Sequence, residues 1–254
     1  MADSFVTSLQ IETFEYKPPV SQKNGSKTVY VSTVSGSTDW KDRIRFQMSE
    51  DNTTNLQKTV WALSAPLSGQ ENPKRTLELT IESPNLLKFL NELDIHNVKC
   101  ATENCESWFK KKMDKSAIEE MYVPIVKPKI NEDSTDTVKI KVKCQENPTN
   151  IYIVDKEENG KMSYSPGSIN DLVKGIKVFV MVETAGLWFM SKQFGMSLTA
   201  LDMFVWPNKT KSGINAFTLS AGTTFCLTSP PVTEDITDID TNEAEVKRQK
   251  LSDE

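Results

Sequence analysis

The sequence lacks the long apolar run and the leader segment that would direct it to a membrane or out of the cell. No stretch approaches the roughly 18 consecutive apolar residues that cross a bilayer, although 37% of its 254 residues are hydrophobic. Its first residues, Met-Ala-Asp-Ser-Phe, contain neither the positive part nor the apolar part of a secretory signal. We therefore expect an intracellular protein whose four cysteines are reduced thiols.

Residues that usually carry catalysis or bind metals are also scarce. The one histidine, His96, is separated from Cys100, Cys105 and Cys144 by spacings unlike the two tight ligand pairs of a zinc site. The signatures of phosphate-binding loops, dinucleotide-binding turns, zinc protease helices and serine hydrolase elbows are absent from the sequence. We expect a binding protein with no cofactor and no metal rather than an enzyme. A metal-dependent nuclease built from scattered carboxylates is the enzymatic alternative.

Negative charge is concentrated near the C-terminus. Residues 232–254 hold eight acidic and three basic side chains, and this difference equals the net charge of −5 of the whole chain. Residues 1–231 are therefore neutral overall and can bind a polyanion only through a local cationic patch. We predict one binding domain over residues 1–231, followed by a disordered acidic tail over residues 232–254, which has too few apolar residues to fold alone.

The acidic tail has two interpretations. A flexible polyanion tethered beside a nucleic-acid site competes for that site, and once displaced it is free to recruit partners such as replication proteins. Alternatively, the tail only keeps the protein soluble. Residues 247–250, Lys-Arg-Gln-Lys, resemble a weak nuclear import signal.

Short runs of β-branched and aromatic residues predict a mostly β fold. Ser83 and Pro84 suit a helix cap and a first helical residue. A second helical stretch is expected over residues 103–122, with a break and a new cap at Ser116. We predict an OB-like β-barrel core with two or three short helices. The expected strands include residues 28–34, 44–48, 59–63, 76–81, 137–143, 176–182, 186–190 and 196–206.

A row of lysines is the first candidate for binding nucleic acid. Residues 137–143, Thr-Val-Lys-Ile-Lys-Val-Lys, alternate so strictly that Lys139, Lys141 and Lys143 are predicted to share one face of a strand. Lysines spaced along a strand can meet successive phosphates of a single strand. The alternative is a solvated face of an edge strand, where lysine discourages aggregation.

Aromatic residues in a predicted hairpin over residues 186–206 are the second candidate. Alternation in its last strand places Phe204 and Trp206 on one face and more apolar residues on the other. Because both faces cannot be buried equally well, the two rings are candidates for stacking on bases. Phe194 is predicted to lie beside Lys192 in a turn of five residues, in which Gly195 takes the position with positive φ. An exposed Phe194 ring next to this cation would suit a nucleotide, and the alternative is that the ring tucks under the turn. Trp188 completes the candidate set, and it is the residue among them that best suits a core position.

Residues 186–203 read Gly-Leu-Trp-Phe-Met-Ser-Lys-Gln-Phe-Gly-Met-Ser-Leu-Thr-Ala-Leu-Asp-Met. This segment resembles the C-terminal signature of a protein family of large nucleocytoplasmic DNA viruses. Residues 106–108, Glu-Ser-Trp, the segment 122–127 and the strand 137–143 agree with the family in order. The layout is also similar to that of OB-fold single-strand binders of phages and DNA viruses, which end a β-barrel with a comparable hairpin and carry acidic tails. The tail here lacks the terminal aromatic residue found in some of them.

The resemblance implies a single-stranded DNA-binding protein of a large DNA virus, without sequence specificity, that acts in DNA replication or repair. We expect such a protein in the cytoplasm or nucleus of an infected host cell, or in the virion. The alternative is a virion structural or protein-interaction protein with no nucleic-acid role, in which the hairpin contacts protein and the lysines are only solvated. Oligomeric state is left open by the sequence.

Overall fold

The fold is mostly β, with three α-helices in the part of the chain that a computed structural model describes, residues 9–22, 25–33, 43–50, 54–66, 73–158 and 161–207. The predicted fold class is confirmed, although one helix has 20 residues and is longer than expected. The helices are α1 (Pro84–Glu103), α2 (Cys105–Phe109) and α3 (Lys115–Met121). The strands are β1 (Glu15–Tyr16), β2 (Val20–Ser21), β3 (Lys27–Ser32), β4 (Ile44–Gln47), β5 (Gln57–Lys58), β6 (Lys74–Thr80), β7 (Tyr122–Val123), β8 (Val126–Lys127), β9 (Thr137–Lys143), β10 (Asn150–Glu158), β11 (Lys161–Pro166), β12 (Lys177–Met190) and β13 (Gln193–Trp206).

A long hairpin of β12 and β13 forms the centre of the sheet. The two strands pair antiparallel from Lys177 and Trp206 to Met190 and Gln193. The turn therefore contains two residues rather than the five predicted, and Ser191, not Gly195, has the positive φ, at 53°. The predicted strands 176–182 and 186–190 are parts of the one strand β12.

Other strands extend the sheet on both sides of this hairpin. Strands β3, β4 and β5 pair with successive parts of β12. On the other side, β7, β9 and β10 run parallel to β13 and pair with successive parts of it. The sheet curls into a half-barrel. Because β9 and β10 share the same edge of β13, residues far apart in sequence meet on one sheet face.

Helix α1 covers one face of the sheet, which we call the inner face. Ser83 caps this helix as predicted, because its side chain accepts a hydrogen bond from the backbone N–H of Leu86 at 3.3 Å. Phe89 of α1 meets Phe46 of β4 edge to face, with 5.2 Å between ring centroids. The core cluster combines apolar side chains of α1 with those of the sheet's inner face, including Leu86, Leu90, Leu93, Val138, Ile140, Val178, Val180 and Val205.

The second helical stretch is divided, as predicted, but at a different residue. Helix α2 ends at Phe109 and is followed by Lys110, which has φ +62°, and α3 begins after Asp114. The Asp114 side chain accepts a hydrogen bond from the N–H of Ala117 at 2.8 Å. The predicted cap at Ser116 is therefore wrong. Asp114 comes before it and is an equally good capping residue, so the helix begins one half-turn earlier.

None of the described helices is long and apolar enough to cross a membrane. The predicted acidic tail, residues 232–254, lies outside the described residues.

Candidate nucleic-acid interface

The predicted lysine row lies on the outer face of the sheet, opposite the core. Alternation along β9 sends one set of side chains inward and the other set outward. The inward set, Val138, Ile140 and Val142, is completely buried. The outward set is Lys139, Lys141 and Lys143. The predicted register of this strand is confirmed.

Two of these lysines line a groove of about 720 Å³. We call it the lysine groove. Lys139 and Lys141 form one side, residues 123–128 form a wall, and Trp188 and Met190 of β12 lie across from the lysines. Much of the remaining lining is apolar. It includes Pro124, Ile125, Val126, Pro128 and Met196.

Lys141 is held firmly at the side of this groove. Its ammonium donates to the hydroxyl oxygen of Thr76 at 2.8 Å. Partial burial lowers the pKa of Lys141, and the neighbouring charges of Lys139 and Lys74 lower it further. An anion in the groove would relieve the repulsion among these three lysines, because opposite charge favours the protonated form.

Lys143 has a different environment from its two neighbours. Its Nζ lies 3.7 Å from Oε1 of Glu183. The same oxygen accepts a hydrogen bond from Arg43 at 3.3 Å, and Oε2 accepts one from Arg45 at 3.5 Å. Glu183 is nearly buried, with side-chain exposure of 7%. The structure places Lys143 in this ion-pair cluster and not among the residues that line the lysine groove.

Trp188 is half-buried and lines the lysine groove beside Gly195. Pairing of these two residues puts the indole over the glycine. A Cβ at position 195 would lie 2.7 Å from the carbonyl oxygen of Val123 and 3.1 Å from Cζ2 of Trp188. Glycine is needed here for close approach of the wall and the indole, rather than for a turn.

Phe194 is a core residue, so of its two predicted positions, exposed in the turn or tucked under it, the exposed one is wrong. Its side chain is completely buried. The ring stacks on Phe189 with 5.3 Å between centroids and also contacts Phe109 and Tyr122. The two-residue turn makes Phe194 the second residue of β13, where alternation directs it inward. In this position it has no surface for a nucleotide.

Lys192 is exposed at the tip of the hairpin. Its neighbours Ser191 and Gln193 line the lysine groove, and so does Met190, which is 61% exposed. The turn therefore places a cation at the end of the groove but not among the side chains that line it.

Phe204 belongs to an aromatic cluster on the same outer face. Its ring stacks on Tyr152 of β10 with 5.1 Å between centroids and an angle of 25°. Tyr164 of β11 meets Phe204 edge to face at 5.4 Å, and Phe179 of β12 lies 6.3 Å away. Tyr164 is 56% exposed. Sequence reasoning missed Tyr152 and Tyr164, because the pairing of β10 with β13 is long-range.

Strand register connects the aromatic cluster to the lysine groove. Phe179, Phe204 and Tyr152 are paired across three strands, and so are Glu183, Thr199 and Lys141. These two rows cross β13 at positions 204 and 199, which a strand separates by roughly 16 Å. Trp206, half-buried, follows Phe204 on the same face and pairs with Lys177.

The histidine and the cysteines form no larger site in the described part of the chain. Nε2 of His96 lies 3.4 Å from Sγ of Cys100, one helical turn away. No three His, Cys, Asp or Glu side chains among the described residues come together as metal ligands.

The outer face of the half-barrel sheet thus carries both a groove lined by lysines and a partly exposed aromatic cluster. The chain belongs to a family of unknown function, DUF5871, whose sequence profile matches residues 70–214. This range is more than half of the chain and includes every residue named above for the groove and the aromatic cluster. No curated protein matches the sequence.

The fold is similar to solved structures of two phage proteins. One is the single-stranded DNA-binding protein from bacteriophage Enc34 in a C-terminal truncation, with a TM-score of 0.38, 12% identity, and coverage of 78% of this chain and 97% of that one. The other is gp2.5, a single-stranded DNA-binding protein encoded by bacteriophage T7, with a TM-score of 0.34, 14% identity, and coverage of 72% and 99%. A structure of the Enc34 protein in complex with single-stranded DNA is similar at a TM-score of 0.34 and 12% identity, covering 75% of this chain and 90% of that one.

Proposed function

We propose that the protein binds single-stranded DNA without sequence specificity, across the outer face of its sheet. The observation that carries this proposal is the position of the lysine groove and the aromatic cluster on one continuous face. Sequence-tolerant binding of a single strand needs cations that meet phosphates and rings on which bases stack. Both are present, about five residues apart along β13.

The groove suits the phosphate backbone. Lys127, Lys139 and Lys141 line it, and the one carboxylate that pairs with a lining lysine is Glu78, 3.4 Å from Nζ of Lys127, in the described part of the chain. The local charge is therefore positive although the body of the protein is neutral. When protein cations bind the phosphates of a single strand, counterions are released from the nucleic acid. The affinity therefore falls as the salt concentration rises.

The aromatic cluster suits the bases. Tyr164 exposes a ring at the sheet surface, and Tyr152 and Phe204 each pack against this ring edge to face. Every base has a face on which such a ring can stack, so this contact does not depend on sequence. A duplex keeps its bases stacked on each other, which is why we expect a preference for single strands.

We place this activity in the replication or repair of viral DNA, on the resemblance of residues 186–203 to a family of large DNA viruses. In this role the protein covers exposed single strands by binding alone, so no catalytic site is required. The acidic tail would then compete for the lysine groove and recruit replication proteins.

The first prediction concerns the two lysines of the groove. The double variant Lys139→Gln and Lys141→Gln is expected to bind a labelled oligo-dT about tenfold more weakly at low salt. The reason is that binding releases fewer counterions from the DNA when two phosphate contacts are lost. The slope of log affinity against log salt should become shallower by about 1.4, because each contact to a single strand contributes about 0.7. Fluorescence anisotropy over a salt series measures both quantities.

The matched control removes the same charge elsewhere. Lys88 of α1 and Lys115 of α3 have side-chain exposures of 75% and 70% and lie outside the groove lining. The variant Lys88→Gln and Lys115→Gln should keep the affinity and the salt slope of the unaltered protein. Equal losses in both double variants would mean that net charge alone, and not the groove, attracts the DNA.

The apolar lining favours one other candidate function. Proline, isoleucine and methionine side chains around the exposed Met190 would also suit a protein partner, as a virion structural or interaction protein requires. Salt separates the two functions. An apolar protein interface is nearly insensitive to ionic strength, whereas phosphate binding is not.

A further inference from the structure

One wall of the lysine groove has little regular strand pairing. Residues 123–128 form it, and its strands β7 and β8 have two residues each. β7 pairs with β13, whereas β8 pairs with β9. The chain therefore changes its neighbouring strand near Ile125, where backbone N–H groups need acceptors from outside the sheet.

Asp94 of α1 supplies those acceptors. The N–H of Ile125 donates to Oδ1 at 3.1 Å and to Oδ2 at 3.0 Å, and the N–H of Val126 donates to Oδ2 at 3.3 Å. The hydroxyl of Tyr122 donates to Oδ1 at 2.5 Å. Asp94 does not line the groove but lies in a separate cleft between α1 and α3. One carboxylate thus fastens the wall to α1.

A chain of hydrogen bonds extends this arrangement into the core. Nδ2 of Asn97 donates to the Tyr122 hydroxyl at 2.9 Å, and the Tyr16 hydroxyl donates to Oδ1 of Asn97 at 2.6 Å. Asn97 is completely buried. All the donors in this chain point toward Asp94, whose ionised carboxylate can accept with both oxygens and donates from neither.

We propose that Asp94 is a positioning residue for the lysine groove, whose ionised carboxylate holds residues 123–128 in the arrangement that binds a single strand and whose protonation releases that wall. This inference rests on the proposed function and adds acid sensitivity to it. A protonated Asp94 keeps one good acceptor oxygen, so the N–H groups of Ile125 and Val126 lose part of their bonding.

The surroundings of Asp94 make protonation accessible. Burial raises the pKa of Asp94, and the hydrogen bonds from Tyr122, Ile125 and Val126 lower it only in part. Burial also raises the pKa of Tyr122, so this hydroxyl stays a donor. The other charged groups that line the cleft are one lysine and one glutamate from each helix. They are Lys99 and Glu103 of α1, and Lys115 and Glu119 of α3. Their charges sum to zero.

Because the pKa of Asp94 is raised, acid is expected to affect DNA binding and the free energy of unfolding differently. A carboxyl group whose pKa is raised in the folded state loses stability as pH rises from its unfolded pKa through its folded pKa, and gains stability on protonation. Acid therefore does not lower the melting temperature through Asp94. The effect of acid is expected in the local bonding of the wall and in DNA binding, and not in global stability.

The test compares Asp94→Asn with Glu119→Gln, which removes one carboxylate from the same cleft without touching the wall. Affinity for oligo-dT is measured by anisotropy between about pH 5 and pH 8, the range above the ordinary pKa of aspartate. The unaltered protein and Glu119→Gln should lose about fivefold in affinity on acidification, the effect of about one hydrogen bond. Asp94→Asn should bind weakly at every pH, with no such loss.

Amide hydrogen exchange provides a readout that needs no DNA. In Asp94→Asn the amides of Ile125 and Val126 should exchange faster, while those of β9 and the centre of β13 keep their protection. Unchanged exchange at Ile125 and Val126, faster exchange throughout the protein, or a pH profile like that of the unaltered protein would each overturn the inference. If the unaltered protein binds no DNA at any pH, the proposed function fails, and the exchange data alone decide whether Asp94 positions the wall.

Discussion

Replacing Gly186 by alanine is expected to lower the free energy of unfolding by about 3 kcal/mol or more, the range of a strained backbone combined with a steric overlap. Gly186 has φ +128°, a conformation that residues with a Cβ rarely adopt. A Cβ at this position would also overlap the backbone carbonyl of Val29 on β3. The bulge at positions 185–186 bends β12 where it leaves β4 and joins β3, so the strain cannot relax without breaking this pairing.

Urea denaturation of Gly186→Ala measures this loss, and Gly25→Ala is its matched control. Gly25 also has positive φ, at +81°, but nothing lies within 4 Å of an added Cβ. That variant should lose only about 1 to 2 kcal/mol, the cost of a left-handed conformation by itself. If the two variants lose equal stability, the close approach of β12 and β3 is not what requires glycine at position 186.

Replacing Tyr164 by alanine is expected to weaken binding of oligo-dT by about 5- to 150-fold, because stacking of one base on an aromatic ring contributes about 1–3 kcal/mol. Tyr164 is the most exposed ring of the aromatic cluster and contacts Tyr152 and Phe204 at 5.4 Å each. Its partial exposure means that the substitution removes a binding surface with little effect on the core. Anisotropy titration gives the affinity, and a thermal melt checks the fold.

The variant Tyr164→Phe separates stacking from hydrogen bonding, because it keeps the ring and removes the hydroxyl. It should bind oligo-dT as tightly as the unaltered protein. The salt slope of Tyr164→Ala should also be unchanged, since no phosphate contact is lost. Normal affinity in Tyr164→Ala would mean that the DNA does not reach the aromatic cluster.

Local sequence patterns predict the structure correctly where a single periodicity or a single capping motif determines it. Alternation over residues 137–143 gives the outward direction of Lys139 and Lys141 correctly, because a one-residue slip would move the buried valines and isoleucine into water. The cap at Ser83 is equally local, since a hydroxyl and the proline after it define the start of α1.

Patterns failed where the outcome depends on the length of a turn or on distant pairing. The segment Ser-Lys-Gln-Phe-Gly has two residues that suit a turn and a glycine that suggests a longer one, and the choice between them decides whether Phe194 is exposed or buried. The partner of Lys143, Glu183, comes from β12, and partners of Phe204 come from β10 and β11. No sequence period encodes such contacts.

The role of Asp94 is also not predictable from the sequence. In the sequence it is one carboxylate on the polar side of an amphipathic helix, and nothing distinguishes it from Glu92 nearby. Only the fold brings the segment 122–126 to it, about 30 residues later in the chain. Residues that position a binding groove are therefore found from hydrogen-bond partners and not from composition.

Lysine acetylation with and without oligo-dT tests the central claim most directly, because it reports which face of the protein the DNA covers. Lys139 is exposed at the groove, and Lys88 and Lys115 are exposed on the helices. Mass spectrometry should show that saturating oligo-dT slows acetylation of Lys139 severalfold and leaves Lys88 and Lys115 unchanged. Equal rates at Lys139 with and without bound DNA would contradict a binding surface on the outer face of the sheet.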